Sequence, residues 1–304
     1  MHPRSSSLRA AIVGSVLLAA VALLTTPANA SLPVTSSPSL QLARTIHTSP
    51  FEGSSVSMMD AEGSAYVPQD NSIWLADDNG RAIYEVDPTN GTLKRMIGRT
   101  TFEATPRFGG GQVAGSSRDQ DIESMAYDAA NDALYVFSGI CCSGSAQPTA
   151  FRMLRDGERG LQVESYQPLP TGSDFTASGW NPADGKLYVG VHKDIRSYDY
   201  ATNTPGATFQ VPTLRAILGM SFSGDGKQLY VAHHDSSGNA QLSVVDWGTK
   251  TLVPGWTFTL TSFGIRDSRA VELINDQFYI LDGYDGRSKG DPLRHALYVF
   301  NVSG

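Results

Sequence analysis

Five stretches of this chain repeat one pattern, a short apolar strand, a tight polar turn, and a second strand with an aromatic residue at a fixed place. They read DAEGSAYVPQDNSIWLAD (60–77), DIESMAYDAANDALYVFS (121–138), DFTASGWNPADGKLYVGV (174–191), AILGMSFSGDGKQLYVAH (216–233) and DSRAVELINDQFYILD (267–282). The aromatic is Trp74, Tyr135, Tyr188, Tyr230 and Tyr279 in turn. Asp184-Gly185 and Asp225-Gly226 suit the intervening hairpins, because such residues tolerate the positive φ of a tight turn. Each copy is followed by a third strand: AIYEVD (82–87), AFRMLR (150–155), IRSYDY (195–200), LSVVDW (242–247) and ALYVFN (296–301). A fourth follows most of them.

The leading positions 60, 121, 174, 216 and 267 lie 61, 53, 42 and 51 residues apart. Four-stranded units at that period predict an all-β fold, a β-propeller of five blades, with the surplus in loops. A sixth blade fits only if Phe102–Gln120 holds a degenerate copy. The last copy ends after its third strand, so LQLARTIHT (40–48) is expected to supply the missing fourth and close the ring. The repeated aromatics are expected to pack blade against blade.

Residues 1–30 read as a signal peptide: Arg4 and Arg9, an apolar run Ala10–Leu24, then the small-x-small Ala28-Asn29-Ala30. We therefore expect a secreted, monomeric product starting near Ser31, a single propeller domain over 31–304. Its Ser/Pro-rich arm Ser31–Ser57 is expected to be partly flexible. Without the leader, 21 Lys and Arg face 30 Asp and Glu, a net of −9. Nucleic acid and anionic membrane need clustered positive charge and are excluded as partners.

In a propeller the first strand of each blade lines the central channel, and the loops entering it share a face with those leaving the second strand. On that face the sequence gathers Asp60, Glu62, Asp121, Glu123, Asp174, Asp267 and Arg269 at the entries. Leaving the second strands are Asp77, Asp78, Cys141, Cys142, His192, His233, His234, Asp282 and Asp285. The leading aspartates either cap their own strands or converge to hold a cation, since carboxylates that close cannot all ionise alone. Asp60, Glu62, Asp121, Glu123, Asp174 and Asp267 are the candidate ligands, and oxygen donors without a thiolate cluster favour Ca²⁺. Arg269 is the alternative, internal partner for these acids. No G-x-S-x-G, H-E-x-x-H or phosphate-binding loop is present.

The segments DAEGSAYVPQDNSIWLADDNGRAIYEVDPTNG and DIESMAYDAANDALYVFSG resemble secreted bacterial propellers of the SdiA-regulated and esterase-like-phytase groups. They also share features with NHL-like propellers. The residues that carry the likeness are Asp60, Glu62, Gly63 and Tyr66, then Asp121, Glu123 and Tyr127. The resemblance implies the propeller fold and a calcium ion, and names no reaction.

Two functions fit. In one, the acidic mouth, with or without Ca²⁺, binds a small polar molecule, glycan or peptide through Asp78, Cys141, Cys142, His192, His233, Arg269, Asp282 and Asp285. In the other, the protein is a metal-dependent hydrolase of an ester, lactone or phosphate ester, with Glu62, Glu123 and His234 as its acid–base groups. Cys141 and Cys142, the only cysteines, are adjacent. In an exported chain they are expected to form a vicinal disulfide that clips an exposed loop or presents a sulfur face to a ligand.

Overall fold

The computed structural model describes residues 31–33, 37–103, 122–139, 148–156, 160–170 and 173–303. The chain enters through β1 (Ser39–Ile46) and then builds four complete sheets in succession. The first is β2 (Ala61–Val67), β3 (Ser72–Asp77), β4 (Ala82–Val86) and β5 (Leu93–Ile97); a short helix, α1 (Arg99–Glu103), follows. The second is β6 (Ile122–Asp128), β7 (Ala133–Ser138), β8 (Thr149–Asp156) and β9 (Gly160–Pro168). The third is β10 (Ala177–Asn181), β11 (Lys186–Val191), β12 (Asp194–Asp199) and β13 (Thr204–Gln210). The fourth is β14 (Ala216–Phe222), β15 (Gln228–His234), β16 (Ala240–Asp246) and β17 (Thr251–Thr259). The last is β18 (Ser268–Ile274), β19 (Gln277–Asp282) and β20 (Leu297–Ser303), completed by β1 on the outside.

Every sheet is antiparallel, and the first strands touch in the ring order β2, β6, β10, β14, β18, β2. This is a five-bladed β-propeller. No sixth sheet forms among the described residues, and 104–121 lie outside them.

The expected closure holds: β1 pairs β20 from Ser39↔Ser303 to Ile46↔Leu297, covering an edge that would otherwise be open. Part of the 31–57 arm is more firmly seated than its composition suggests. Leu32 is buried against the fourth blade, and its backbone exchanges hydrogen bonds with the Gln228 side chain at 3.0 and 2.9 Å.

The repeated aromatics are the mortar between blades. Trp74 packs with Met125 and Leu134 of the second blade, and Tyr135 with Leu187 of the third. Tyr188 packs with Leu229 of the fourth, Tyr230 with Phe278 of the fifth, and Tyr279 with Ile73 of the first. Burying each ring contributes on the order of 2–3 kcal/mol, so the ring of blades is held by five matched wedges. Positive φ falls on the first hairpins as the turn chemistry requires, at Asn71, Asp132, Gly185, Gly226, Asn275 and Asp276.

Candidate functional site

The first strands share an irregularity that no periodicity in the sequence announces. Four of the five slip register near their start: between Ala61 and Ser64, Ile122 and Ser124, Ile217 and Gly219, and Ser268 and Ala270. A bulge takes its extra residue out of the ladder and re-aims the side chain. The residues so released are Glu62 with Gly63, Glu123, Leu218 and Arg269. Thr176 holds the matching place in the third blade and donates its hydroxyl to the Ile217 carbonyl at 2.7 Å. The third position of each repeat thus forms a collar at the channel mouth.

The collar is organised by Arg269. Its guanidinium donates to the Glu62 carboxylate and, through Nε, to Asp267 at 2.8 Å. Asp267 in turn lies 3.1 Å from Nε2 of His234. Burial pushes Glu62 well above the usual carboxylate range; Arg269 opposes this, while the charge of Glu123 adds to it. Burial also acts on Asp267, but the His234 hydrogen bond and Arg269 outweigh it and hold Asp267 below its ordinary value. Neighbouring carboxyls are therefore driven in opposite directions, the arrangement that separates a proton donor from an acceptor.

Asp60 stands at the rim. Burial, with the charges of Asp285 and Asp77, raises its carboxyl from 3.8 to about 6, although Arg269 and a 2.6 Å bond from the Asn79 amide oppose the rise. Asp60 belongs to two trios whose donor atoms lie within 4.8 Å of one another: Asp60, Glu62 and Asp78, and Asp60, Asp285 and His295. Each trio also meets an arginine: Arg294 donates to Asp285 at 2.5 Å and to the His295 ring at 2.9 Å in the second, and Arg269 donates to Glu62 in the first. The first offers oxygens alone, a donor set that fits a hard cation such as Ca²⁺, with water or ligand completing its six to eight positions.

Strand capping, one of the two roles open to the leading aspartates, belongs in the first and fifth blades to another residue. Asp77, at the end of β3, accepts bonds from the Met59 and Asp60 amides, both at 2.9 Å, from Gly80 at 2.8 Å and from the Tyr84 hydroxyl at 3.0 Å. Asp282 does the same in the fifth blade, accepting from Arg266 and Asp267 at 3.3 and 3.1 Å. Both caps are fully buried. They tie down the entry loops and leave Asp60 and Asp267 to face the mouth.

The remaining candidates divide. His233 is buried and bonded to Ser243 at 2.9 Å, so it braces the fourth blade. His192 is an exposed turn residue at φ 54 whose carbonyl accepts from Ile217. Asp174 is half-buried at the third blade's entry and joins no metal-sized trio among the described residues. The continuous acidic collar is broken by Thr176, Leu218 and Arg269. Asp121, Cys141 and Cys142, and with them the vicinal disulfide, lie outside the described residues. The sequence reading passed over Asn79, Arg294 and His295; the last two lie in a loop after β19 whose course follows no repeat.

No family model matches the chain, and no curated protein matches it. Solved structures do. A glutaminyl cyclase from Myxococcus xanthus shares 10% identity over 88% of this chain and 98% of its own, at a TM-score of 0.60. The PQQ-bound aldose sugar dehydrogenase from Streptomyces coelicolor shares 11% over 89% and 100%, at 0.55. A luciferin-regenerating enzyme shares 10% over 88% and 96%, at 0.53. These neighbours are β-propeller enzymes, and likeness at such identity shows the fold alone.

Proposed function

We propose that the protein binds a small polar ligand at the acidic mouth, together with a Ca²⁺ ion held by Asp60, Glu62 and Asp78. The observation that carries this reading is Asp60, a carboxyl raised to about 6 and shared by two donor trios. Carboxylates crowded together at neutral pH gain most from a bound cation. Three protein oxygens leave coordination positions open, and a hydroxylated or carboxylated ligand would fill them.

Calorimetric titration of the apo protein with Ca²⁺ and Mg²⁺, after chelation, tests it. Saturable Ca²⁺ binding that weakens at least about tenfold in Asp60→Asn supports the site; no heat, or unchanged affinity in the variant, removes it.

A second reading draws on the His234–Asp267 pair. A histidine oriented by a carboxylate beside a carboxyl of raised pKa is equipped for proton transfer, and the neighbours in fold are enzymes. Turnover of an ester, lactone or phosphate-ester panel, lost in Glu62→Gln while the melting curve is kept, would favour the hydrolase; ligand-induced stabilisation without turnover favours the binder. The Ser/Pro-rich start and leader-like residues 1–30 suit an exported protein of either kind.

A further inference from the structure

At the far end of the same channel the repeats converge on something the mouth does not offer. The seventh residue of each copy is Tyr66, Tyr127, Trp180, Phe222 and Leu273, and all five line a cavity of about 400 Å³ that opens to solvent. The sixth residue lies opposite the interblade aromatic in every blade: Ala65 faces Trp74, Ala126 Tyr135, Gly179 Tyr188, Ser221 Tyr230 and Glu272 Tyr279. Four of these are small, which makes the room. The fifth is Glu272, a carboxylate set into an aromatic-walled pocket. The waist between Glu272 and the mouth, near Gly63, Ser64 and Gly219, holds only about 10 Å³, so the two ends are separate sites.

We propose that this cavity binds a primary ammonium carried on a compact apolar body, with Glu272 as its counterion and Tyr66, Tyr127, Trp180 and Phe222 as its walls. Three features select that chemistry. Aromatic faces attract cations and accept flat apolar groups. Glu272 accepts from the Ser64 hydroxyl at 3.0 Å, and no Lys or Arg forms an ion pair with it among the described residues. The hydroxyls of Ser178 and Ser221, both buried and lining the cavity, have no hydrogen-bond partner among the described residues. An ammonium has three N–H donors to share among such acceptors, and it brings the positive charge that an ionised Glu272 otherwise lacks.

The walls are fixed in advance: the Tyr127 hydroxyl donates to Asp132 at 2.7 Å, that of Tyr66 to Asn71 at 3.2 Å, and Trp180 stacks on Tyr135 with centroids 5.9 Å apart. The titratable groups around Glu272 are Tyr66 of β2 and Tyr279 of β19, both raised and so neutral near pH 8. β14 brings Met220, Ser221 and Phe222, none of which titrates there; the histidines of β15 lie at its mouth end, where His233 pairs with Ile217. Burial raises Glu272 to about 8, so it is protonated at neutral pH until a cation draws the proton off.

Titration with 2-phenylethylamine and its uncharged isostere 2-phenylethanol tests the assignment, with heats measured in two buffers of different ionisation enthalpy. The amine should bind at least about tenfold more tightly than the alcohol, and release a proton at pH 7. Its affinity should rise towards pH 8 and then level. Glu272→Gln should lose about tenfold or more of the affinity and the pH dependence with it. Equal affinity for amine and alcohol, no binding up to about 10 mM, or unchanged binding in a folded Glu272→Gln, as an amine lodged at the acidic mouth would give, each overturns it. Should that variant not fold, Trp180→Ala and the amine–alcohol comparison in the parent still decide.

Discussion

Asp77 illustrates how much rests on one side chain. It is wholly buried and accepts four hydrogen bonds, three of them from backbone amides: Met59 and Asp60, which set the path into β2, and Gly80 in the turn after β3. Asp77→Ala leaves those donors without partners, and we expect a loss of about 2–4 kcal/mol in urea denaturation. Asp60 makes the complementary prediction. Its carboxyl is more easily protonated in the folded protein than in the unfolded chain, about 6 against 3.8. It therefore stabilises the fold fully below about pH 4, and that contribution is lost as pH rises through 6. A cation bound to the ionised form reverses the loss, so the melting-temperature gain from Ca²⁺ should be small near pH 5 and large near pH 7. Equal gains at both would place the ion elsewhere. Both aspartates were legible in the sequence as residues of the mouth, which left open whether Asp60 caps its strand or holds a cation. An Asp opening one strand and an Asp ending the next are equally good caps on local grounds, and only the hairpin's register decides which one reaches the amides.

At the scale of the element, the closing strand and the bulges matter most. Removing residues 31–49 takes away β1 and the Leu32 anchor, leaves β20 as a bare edge, and should lower the melting temperature by about 10 °C or more. A truncation that melts with the parent would contradict the closure. The narrow waist depends on backbones packed without side chains between them. A Cβ on Gly219 would sit 2.6 Å from Ala270 Cα and from the Arg269 carbonyl. Gly219→Ala should cost about 1–3 kcal/mol, read as a shift in denaturation midpoint. The blades could be counted from the spacing of Trp74, Tyr135, Tyr188, Tyr230 and Tyr279, because wedges between identical neighbours must recur with the repeat. The bulges that turn Glu62, Glu123 and Arg269 inward left no such trace, since a slipped register changes pairing and not residue type.

Across the whole molecule, the mouth and the aromatic cavity are built by the same five strands and parted by a waist of about 10 Å³. Saturating Ca²⁺ should leave the affinity for 2-phenylethylamine within about twofold, measured by calorimetry; direct competition would mean a shared site. The sequence concentrated attention on the acids because charged residues at loop positions stand out singly. The second cavity was equally present, in the column Tyr66, Tyr127, Trp180, Phe222 and Leu273, but it emerges only when the copies are stacked and read downwards. Closure has one more consequence. The hydroxyls of Ser39 and Ser303 meet at 2.8 Å although 264 positions separate them. During synthesis β1 is finished long before its partner exists, and it must wait, unpaired, until β20 has been made. The ring is fastened only when β20 pairs with β1, so four blades can assemble as they emerge while the fifth closes after them.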